Sequence, residues 1–361
     1  MNPTTTAADL EKTIARVIAR MTTLSAGRGR EKCPIDIVAF DCWEWPQGVG
    51  LYGLCKYHEQ TRDPATLALL RGWFARRLAA GAPARNVNTT APMLALAHLA
   101  EAGHGGGDAP ALCADWAEWV FSKMTRTADG GIQHAVTGLA NDGQLWADTL
   151  YMTVLFLAKA GRLLRRDDYL EEAARQFLVH IKYLFDRETG LWFHGWDFNG
   201  RHNFARARWA RGNCWFTAGV VDFLEIARPS AAVRGFLVDT LRAQVDALAR
   251  LQAADGLWHT LLDDPASYAE TSASAGFGYG ILAGARLGYL DPAAAAVGRR
   301  ALDGVLGKIL PDGTVTGVSF GTPMGRTLDF YRDIPCRPMP YGQSLAVLLL
   351  GEALKHEKIK N

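Results

Sequence analysis

A carboxylate placed between an indole and an apolar run is the feature of this chain with the clearest chemistry. Asp148 follows Trp146 at a distance of two residues and directly precedes an apolar segment. Further along the chain, Arg211 lies between Trp209 and Trp215. A guanidinium group pairs well with a ligand carboxylate, and indole rings offer flat apolar surfaces for sugar rings. The two segments together indicate a site for an acidic sugar, with one acid, one cation and several aromatic walls.

Asp148 has two interpretations, which do not exclude each other. An Asp before an apolar helix accepts hydrogen bonds from free backbone N–H groups and acts as an N-cap. Apolar surroundings beside Trp146 also raise the pKa of a carboxyl group, towards the value of a useful general acid. Asp142, in a Gly-rich loop, and Asp115, within a predicted helix, are weaker candidates.

The other candidate side chains also have structural alternatives. Arg211 either stacks on an indole as a surface cation or pairs with a ligand carboxylate, which guanidinium geometry suits better than an ammonium group does. His134 and His194 follow Gly-containing turns and are either buried histidines bonded to backbone or ligand-facing groups. His194 is the better functional candidate, because two Trp residues and an Asp lie close to it in sequence. Trp43 and Trp45 are either a sugar platform or part of the core.

The elements that must position these residues repeat along the chain. A Gly-containing turn recurs, most weakly in its last copy, at Gly130, Gly190, Gly256 and Gly313. Successive turns are about 60 residues apart; His134 and His194, for example, are separated by 60 residues. Segments 41–45 and 86–90 occupy the two earlier positions. Between the turns the apolar residues have helical periodicity, and strand-like runs are short and confined to the turns.

The repeat length predicts the fold. About 60 residues hold two helices of ordinary length with their loops, so 361 residues contain six helical hairpins. Hairpins that cannot bury their faces alone can close into a ring, and recurrent aromatic turns would then gather at one mouth. We therefore predict an all-α (α/α)6 barrel that forms a single catalytic domain over residues 1–361. An open helical solenoid is the alternative.

Composition and charge argue against several partners. The chain is 49% hydrophobic and 21% charged, as in globular proteins with a sizeable core. A net charge of +2, from 39 basic and 37 acidic residues, does not indicate nucleic-acid binding. The sequence contains no apolar run of about 18 residues, so it does not predict a membrane span. The N-terminal segment also has no apolar stretch typical of a secretory signal.

Cysteine usage and the missing cofactor motifs narrow the chemistry further. The six cysteines show no paired spacing and indicate reduced thiols in a cytoplasmic protein; they are Cys33, Cys42, Cys55, Cys113, Cys214 and Cys336. Metal-ligand spacings, a phosphate-binding loop, a dinucleotide fingerprint and a Ser nucleophile elbow are absent from the sequence. We therefore expect a site that uses acid–base chemistry with no metal and no cofactor.

Six short motifs, in order over most of the chain, resemble the unsaturated glucuronyl and rhamnogalacturonyl hydrolases of glycoside hydrolase families 88 and 105, and family 105 more closely. The motifs are Trp45–Gly53, Asn86–Thr89, Trp146–Met152, Gly190–His194, Trp209–Asn213 and Ser272–Ala275. The resemblance implies an (α/α)6 barrel that needs no metal. It also implies that Asp148 is the general acid/base and that His194, Trp209 and Arg211 belong to the substrate site.

The expected substrate is an oligosaccharide, most simply a disaccharide, that ends in the 4,5-unsaturated uronate left by a polysaccharide lyase. In the implied reaction Asp148 protonates C4, water adds at C5, and the same carboxylate takes the proton of the water. Arg211 would hold the C5 carboxylate and His194 would orient water or a hydroxyl group. The expected substrate-binding set is Trp43, Trp45, Asn88, His134, Trp146, His194, Trp209, Arg211 and Trp215.

One departure from the family and three alternatives to this function remain open. His134 is followed by Ala135 where some rhamnogalacturonyl members have Lys, which leaves the attached sugar undetermined. An inverting glycosidase would need a second carboxylate, for which the candidates are Asp41, Glu44 and Asp197. A sugar epimerase would use paired histidines such as His194 and His259, and a helical scaffold would catalyse nothing. The segment 321–343 either lines a leaving-sugar subsite or closes the barrel.

Overall fold

The computed structural model describes residues 6–25 and 37–360. Its helices are α1 (Ala7–Thr22), α2 (Trp45–Thr61), α3 (Pro64–Ala79), α4 (Val87–Glu101), α5 (Ala109–Ser122), α6 (Leu155–Leu164), α7 (Asp167–Leu184), α8 (Ala210–Ala227), α9 (Ala231–Leu251), α10 (Thr271–Arg286), α11 (Ala295–Leu306), α12 (Leu328–Arg332) and α13 (Pro340–Lys360). The strands are β1 (Gln144–Trp146), β2 (Phe185–Asp186), β3 (Leu191–Trp192) and β4 (Gly195–Asp197). A π-helical turn, Leu150–Val154, leads into α6, and a 3-10 turn, Pro292–Ala294, leads into α11.

Six of these helices form a closed inner ring. Around the ring the helices pack in the order α2, α4, α6, α8, α10 and α13, and α13 then packs against α2. Each inner helix is covered by an outer one, in the same order α3, α5, α7, α9, α11 and α1. The predicted (α/α)6 barrel is therefore confirmed, and the open solenoid is wrong. Its sixth hairpin joins the first and last long helices.

The burial of the helices explains the two layers. In the inner helix α10 every residue from Thr271 to Gly284 is buried. The outer helix α7 buries mainly one stripe, which includes Tyr169, Ala173, Phe177 and Ile181. A helix buried on all sides belongs in the centre of a layered structure, whereas an amphipathic helix covers it. The short strands, as predicted, lie in the turns between helices.

The repeated glycines have a common structural role. Gly130, Gly190, Gly256 and Gly313 all have positive φ, between 75° and 86°. A Cβ atom at Gly190 would lie 2.6 Å from the carbonyl oxygen of Ala243 in α9. At Gly256 and Gly313 a Cβ atom would meet backbone atoms of α11 and α1. These turns therefore rest directly on an outer helix, in a conformation that favours glycine.

This contact predicts a stability difference between two glycines. We expect Gly256→Ala to lower the free energy of unfolding by about 2–5 kcal/mol, because left-handed strain and backbone overlap add together. Gly288 is the matched control, since it has a φ of 75° and open space around its Cβ position. Gly288→Ala should cost only about 1–2 kcal/mol. Equal losses in denaturant unfolding would contradict this role of the Gly256 turn.

Two further predictions concern the membrane and the cysteines. Among the described residues, no helix combines the length and apolar character needed to cross a bilayer. Cys55, Cys113, Cys214 and Cys336 are free thiols. Cys33 lies outside the described residues.

Candidate active site

A short antiparallel pairing brings together the carboxylate and the histidine singled out in the sequence. β1 pairs with β4 so that Trp146 lies opposite Gly195. The pairing continues past β1, where the backbone N–H of Ala147 donates to the carbonyl of His194 over 3.0 Å. A Cβ atom at Gly195 would lie 3.0 Å from the carbonyl oxygen of Leu145, so glycine permits this close approach. As a result Asp148 and His194 face each other.

The Asp148 carboxyl group makes its contacts with other parts of the barrel. Its Oδ2 lies 3.2 Å from Nε2 of His194, and its Oδ1 accepts a hydrogen bond of 3.1 Å from Nε1 of Trp215 in α8. The Asp148 side chain is 14% exposed, whereas that of His194 is 1% exposed. Neither carboxyl oxygen accepts a hydrogen bond from the N–H groups of its own helix, so the N-cap interpretation is not supported. A π-helical turn, a feature often found at functional sites, follows directly.

The expected direction of the Asp148 pKa is wrong. Burial raises the pKa of this carboxyl group, but the contact with His194 and the electrostatic influence of His194, His134 and Arg211 outweigh burial, so the pKa lies below its ordinary value. The apolar wall beside Trp146 was visible in the sequence. His194 was also a candidate, but its position opposite the carboxyl group was not visible, because it comes from the next turn of the barrel.

His134 and Trp146 form one wall of the site. Their rings stack with centroids 4.1 Å apart and an interplanar angle of 10°. Nδ1 of His134 lies 2.8 Å from the hydroxyl of Thr149. Burial lowers the pKa of His134 to about 4, although the charge of Asp148 opposes that shift. His134 is therefore a neutral ring at pH 7.

Arg211 is buried and already bound, so the surface-cation interpretation is wrong. Its Nη1 donates to the backbone carbonyl and the hydroxyl of Ser319, and its Nη2 donates to the carbonyl of Phe320 and the hydroxyl of Thr322. The guanidinium group lies 3.9 Å from Glu270, with both side chains fully buried. It also lies between the rings of Trp209 and Tyr341. Its four Nη bonds hold segment 319–322 in place rather than leaving a free fork for a ligand.

Trp43 lies away from the other candidate residues. Its indole packs against Trp73 and Trp116, and its Nε1 donates to the carbonyl of Thr89 over 2.8 Å. The structure therefore contradicts its expected place around the sugar ring, because its ring and its N–H are both used in the core. Trp45, two residues later, stacks on Tyr341 at 4.6 Å and faces the site.

The candidate residues surround a cavity of about 220 Å³. This is smaller than the range of about 300–1,000 Å³ typical of drug-sized ligands, and it suits a ligand of about one sugar ring. Seven of the predicted site residues line it: Trp45, Asn88, His134, Trp146, Asp148, Trp209 and Arg211. His194 and Trp215 lie behind Asp148 and contact its carboxyl group. Gly321, Thr322 and Pro323 also line the cavity, so the start of segment 321–343 is part of the site.

Glu44 is a second cavity carboxyl group, which the sequence suggested only as one of three options. It is 3% exposed, its Oε2 accepts a bond of 3.2 Å from the Trp45 N–H, and its Oε1 lies 3.4 Å from the Thr137 hydroxyl. Burial raises its pKa, although the bonds from Trp45, Thr137 and Asn88 oppose that shift. Asp41 instead pairs with Arg76 and Arg77 at the surface.

The remaining acidic and histidine candidates lie outside the cavity. Asp197 accepts bonds from the N–H groups of Asn199 and Gly200 in a turn. Asp115 pairs with Arg85 near the surface. His259 is bound through Nδ1 to the carbonyl of Ser267. Within the described residues, no cluster of three or more His, Cys, Asp or Glu side chains has a metal-binding arrangement.

The sequence matches a known family over most of its length. The family model for Glycosyl Hydrolase Family 88 matches residues 17–357. A curated relative, the unsaturated rhamnogalacturonyl hydrolase YesR of Bacillus subtilis, is 34% identical over 326 residues, which cover 88% of this chain and 91% of the relative.

Solved structures agree with that match. A possible member of the GH105 family from Salmonella enterica subsp. enterica serovar Paratyphi A has a TM-score of 0.94 and 46% identity, over 99% of this chain and 96% of that one. An unsaturated glucuronyl hydrolase from Bacillus sp. GL1 has a TM-score of 0.71 at 17% identity, over 96% of both chains. The second likeness concerns the fold alone.

Proposed function

The chain belongs to Glycosyl Hydrolase Family 88 and is a glycoside hydrolase, and from this premise we propose that it releases a 4,5-unsaturated uronate from the end of a lyase-generated oligosaccharide. The Asp148 carboxyl group carries the proposal. This carboxyl group lines a cavity large enough for about one sugar ring, with indole rings on one wall. His194 lies 3.2 Å from the carboxyl group, on the side away from the cavity. The curated relative with 34% identity acts, by its name, on an unsaturated rhamnogalacturonyl substrate.

The proposed reaction adds water across the double bond instead of attacking the glycosidic carbon. Asp148 gives a proton to C4, and positive charge develops on C5 and the ring oxygen. A water molecule adds at C5 and returns its proton to the Asp148 carboxylate. The resulting hemiketal opens to a C5 ketone, and C1 becomes a hemiacetal that releases the attached sugar. One acid/base group is enough for this cycle, whereas ordinary glycosidases place two carboxyl groups across the bond to be broken.

The low pKa of Asp148 requires a source for its proton. Before substrate binds, Asp148 is ionised, because its contact with His194 and the influence of Arg211 hold its pKa below the ordinary value. A bound uronate brings a second carboxylate into the cavity, and a like charge raises the pKa of its neighbour. His194, in contact with Oδ2, is placed to supply the proton. Substrate binding therefore favours the acidic form that the reaction needs.

The other cavity residues have separate proposed tasks. Trp146 and Trp209 enclose the sugar ring, and Arg211 holds segment 319–322, which carries Thr322 into the cavity. Within the described residues Glu44 forms no ion pair, and it caps only the first N–H of α2. Glu is not among the favoured N-cap residues, so capping alone does not account for this buried acid. We assign Glu44 and Asn88 to the hydroxyl groups of the substrate.

The role of Glu44 predicts a binding defect. We expect Glu44→Gln to raise KM by about 10-fold or more with a smaller change in kcat, because an amide replaces one acceptor at nearly the same shape. Steady-state kinetics on the best unsaturated disaccharide measure this. The control is Glu171→Gln on the exposed side of α7, which should leave both constants unchanged. A wild-type KM for Glu44→Gln would remove Glu44 from the binding site.

The proposed function is tested by loss of ultraviolet absorbance from the conjugated double bond. The panel contains unsaturated disaccharides made by lyases from pectin, rhamnogalacturonan and glycosaminoglycans, each with its saturated counterpart. We expect at least one unsaturated member to lose its absorbance and the saturated ones to stay intact. Cleavage of saturated members without loss of the double bond would contradict the proposal. The best substrate of the panel identifies the attached sugar. We also propose a cytoplasmic location, which would favour disaccharides as substrates over longer oligosaccharides.

A further inference from the structure

Tyr331 lies behind the catalytic pair, in a part of the chain that the motifs did not include. It belongs to the short helix α12 and is fully buried. Its hydroxyl oxygen is 2.7 Å from Nδ1 of His194, while Nε2 of the same ring faces Asp148 at 3.2 Å. Tyr331, His194 and Asp148 therefore form a continuous chain of polar contacts that ends in the cavity.

The other two neighbours of the Tyr331 hydroxyl determine what it can do. The backbone N–H of Gly325 donates to it over 3.1 Å, and a backbone N–H can only donate. Sδ of Met324 lies 3.6 Å away, and a thioether can only accept. The phenolic proton therefore has two possible acceptors, His194 Nδ1 and Met324 Sδ. Burial raises the pKa of Tyr331, so the phenol keeps this proton.

This arrangement satisfies His194 in both of its protonation states. When the ring is neutral with its proton on Nε2, the phenol donates to Nδ1 and Nε2–H faces the Asp148 carboxylate. When the ring is an imidazolium, Nδ1–H donates to the phenol oxygen and the phenolic proton turns to Met324. The His194 Nδ1 atom and the phenolic proton each keep a partner in either state, and the loss of a partner would be costly at a ring with 1% exposure.

We propose that Tyr331 is a positioning residue that lets His194 hold the proton which Asp148 delivers to the substrate. The inference rests on the proposed function, because it concerns the proton consumed at C4. The pair gives one proton to C4 and recovers one from the water that adds at C5, so it returns to its starting state. His194 supplies Asp148 through the contact at Oδ2, and Tyr331 acts only through His194.

Other ionisable groups around the pair do not supply this function. His134 is held neutral by burial, with a pKa of about 4. Arg211 lies 3.9 Å from Glu270, and its guanidinium group can only donate hydrogen bonds. Cys214, on α8, is buried, and burial raises the pKa of its thiol. Tyr331 is the phenol that contacts His194 in the described part of the chain.

The test is the pH profile of kcat/KM for Tyr331→Phe. The change keeps the ring and its packing but leaves Nδ1–H of the imidazolium without an acceptor. The imidazolium form of His194 therefore loses more stabilisation than the neutral form does. As a result, the Asp148–His194 pair loses its proton at a lower pH. Because the reaction needs the protonated pair, the alkaline limb of the kcat/KM profile should move to lower pH by about one to two pH units. Activity should be recovered in acid.

Two further variants separate positioning from packing. Met324→Leu removes the alternative acceptor and should move the same limb in the same direction by a smaller amount. Tyr169→Phe is the control. Tyr169 is a buried residue of the outer helix α7 whose hydroxyl donates to Glu118, and its replacement should leave the pH profile unchanged. If Tyr331→Phe lowers activity equally at every pH, and Met324→Leu leaves the limb in place, the inference is wrong. A wild-type protein that consumes no unsaturated substrate would instead contradict the proposed function.

Discussion

Asp148→Asn is expected to lower kcat on unsaturated disaccharides by about 10²–10⁴-fold, the usual contribution of a general acid/base. The amide keeps the shape of the side chain and can still accept the hydrogen bond from Trp215. It cannot give a proton to C4 or take one from water. The fold should remain intact, because the barrel core does not depend on the charge of this residue. Loss of absorbance at saturating substrate measures the effect.

The matched control for this change is an Asp outside the cavity. Asp115→Asn alters a carboxylate that pairs with Arg85 near the surface, and it should turn over substrate at the wild-type rate. Thermal unfolding of both variants separates a catalytic defect from a folding defect. Near-normal turnover by a folded Asp148→Asn protein would contradict the assignment of the acid.

Arg211→Met is expected to lower the free energy of unfolding by about 3–5 kcal/mol, because it leaves Glu270 buried without its cation. The same change releases segment 319–322, which Arg211 binds through four hydrogen bonds. KM should rise as well, since Thr322 would lose its fixed position in the cavity. Denaturant unfolding and steady-state kinetics measure the two effects.

A second buried ion pair provides the control for Arg211. Arg286 pairs with Glu352, which is fully buried, and neither residue lines the cavity. Arg286→Met should therefore destabilise the protein and leave KM unchanged. If Arg211→Met raised KM without any loss of stability, Arg211 would be a direct ligand of the substrate carboxylate, as the family resemblance implied.

The sequence predicted the barrel because its repeat has a simple physical cause. Gly190, Gly256 and Gly313 each adopt positive φ where the turn touches an outer helix, so glycine recurs at the start of these hairpins. The spacing of these turns equals the length of one hairpin. The closing contact between α1 and α13 was not visible in the same way, because it joins the two ends of the chain and has no local pattern.

The site was predicted in part, for a similar reason. Trp146, Asp148 and Trp209 stand beside the helix starts that meet at one mouth, so short motifs located them. Arg211 occurs in the same motif as Trp209, and Trp43 lies two residues before the first motif. The surroundings of both depend on distant segments: the core around Trp73 for Trp43, and residues 319–322 for Arg211.

The residues that the motifs missed are distant in sequence from the site residues that they contact. Tyr331 reaches His194 from 137 positions away and carries no local signal. Thr137 lies 93 residues beyond Glu44, the carboxyl group that it contacts. The low pKa of Asp148 has the same origin, since it depends on His194 in another turn. Local patterns therefore identify chemical groups, whereas their protonation states and partners require the folded chain.

The most direct test of the central claim is the position of the oxygen that water contributes. The protein is incubated with an unsaturated disaccharide in water labelled with heavy oxygen, and the products are trapped by rapid reduction before the carbonyl groups exchange. Hydration of the double bond predicts the label at C5 of the released uronate. Label at C1, with the C4=C5 bond still present in the first product, would show direct cleavage of the glycosidic bond and contradict the proposed reaction.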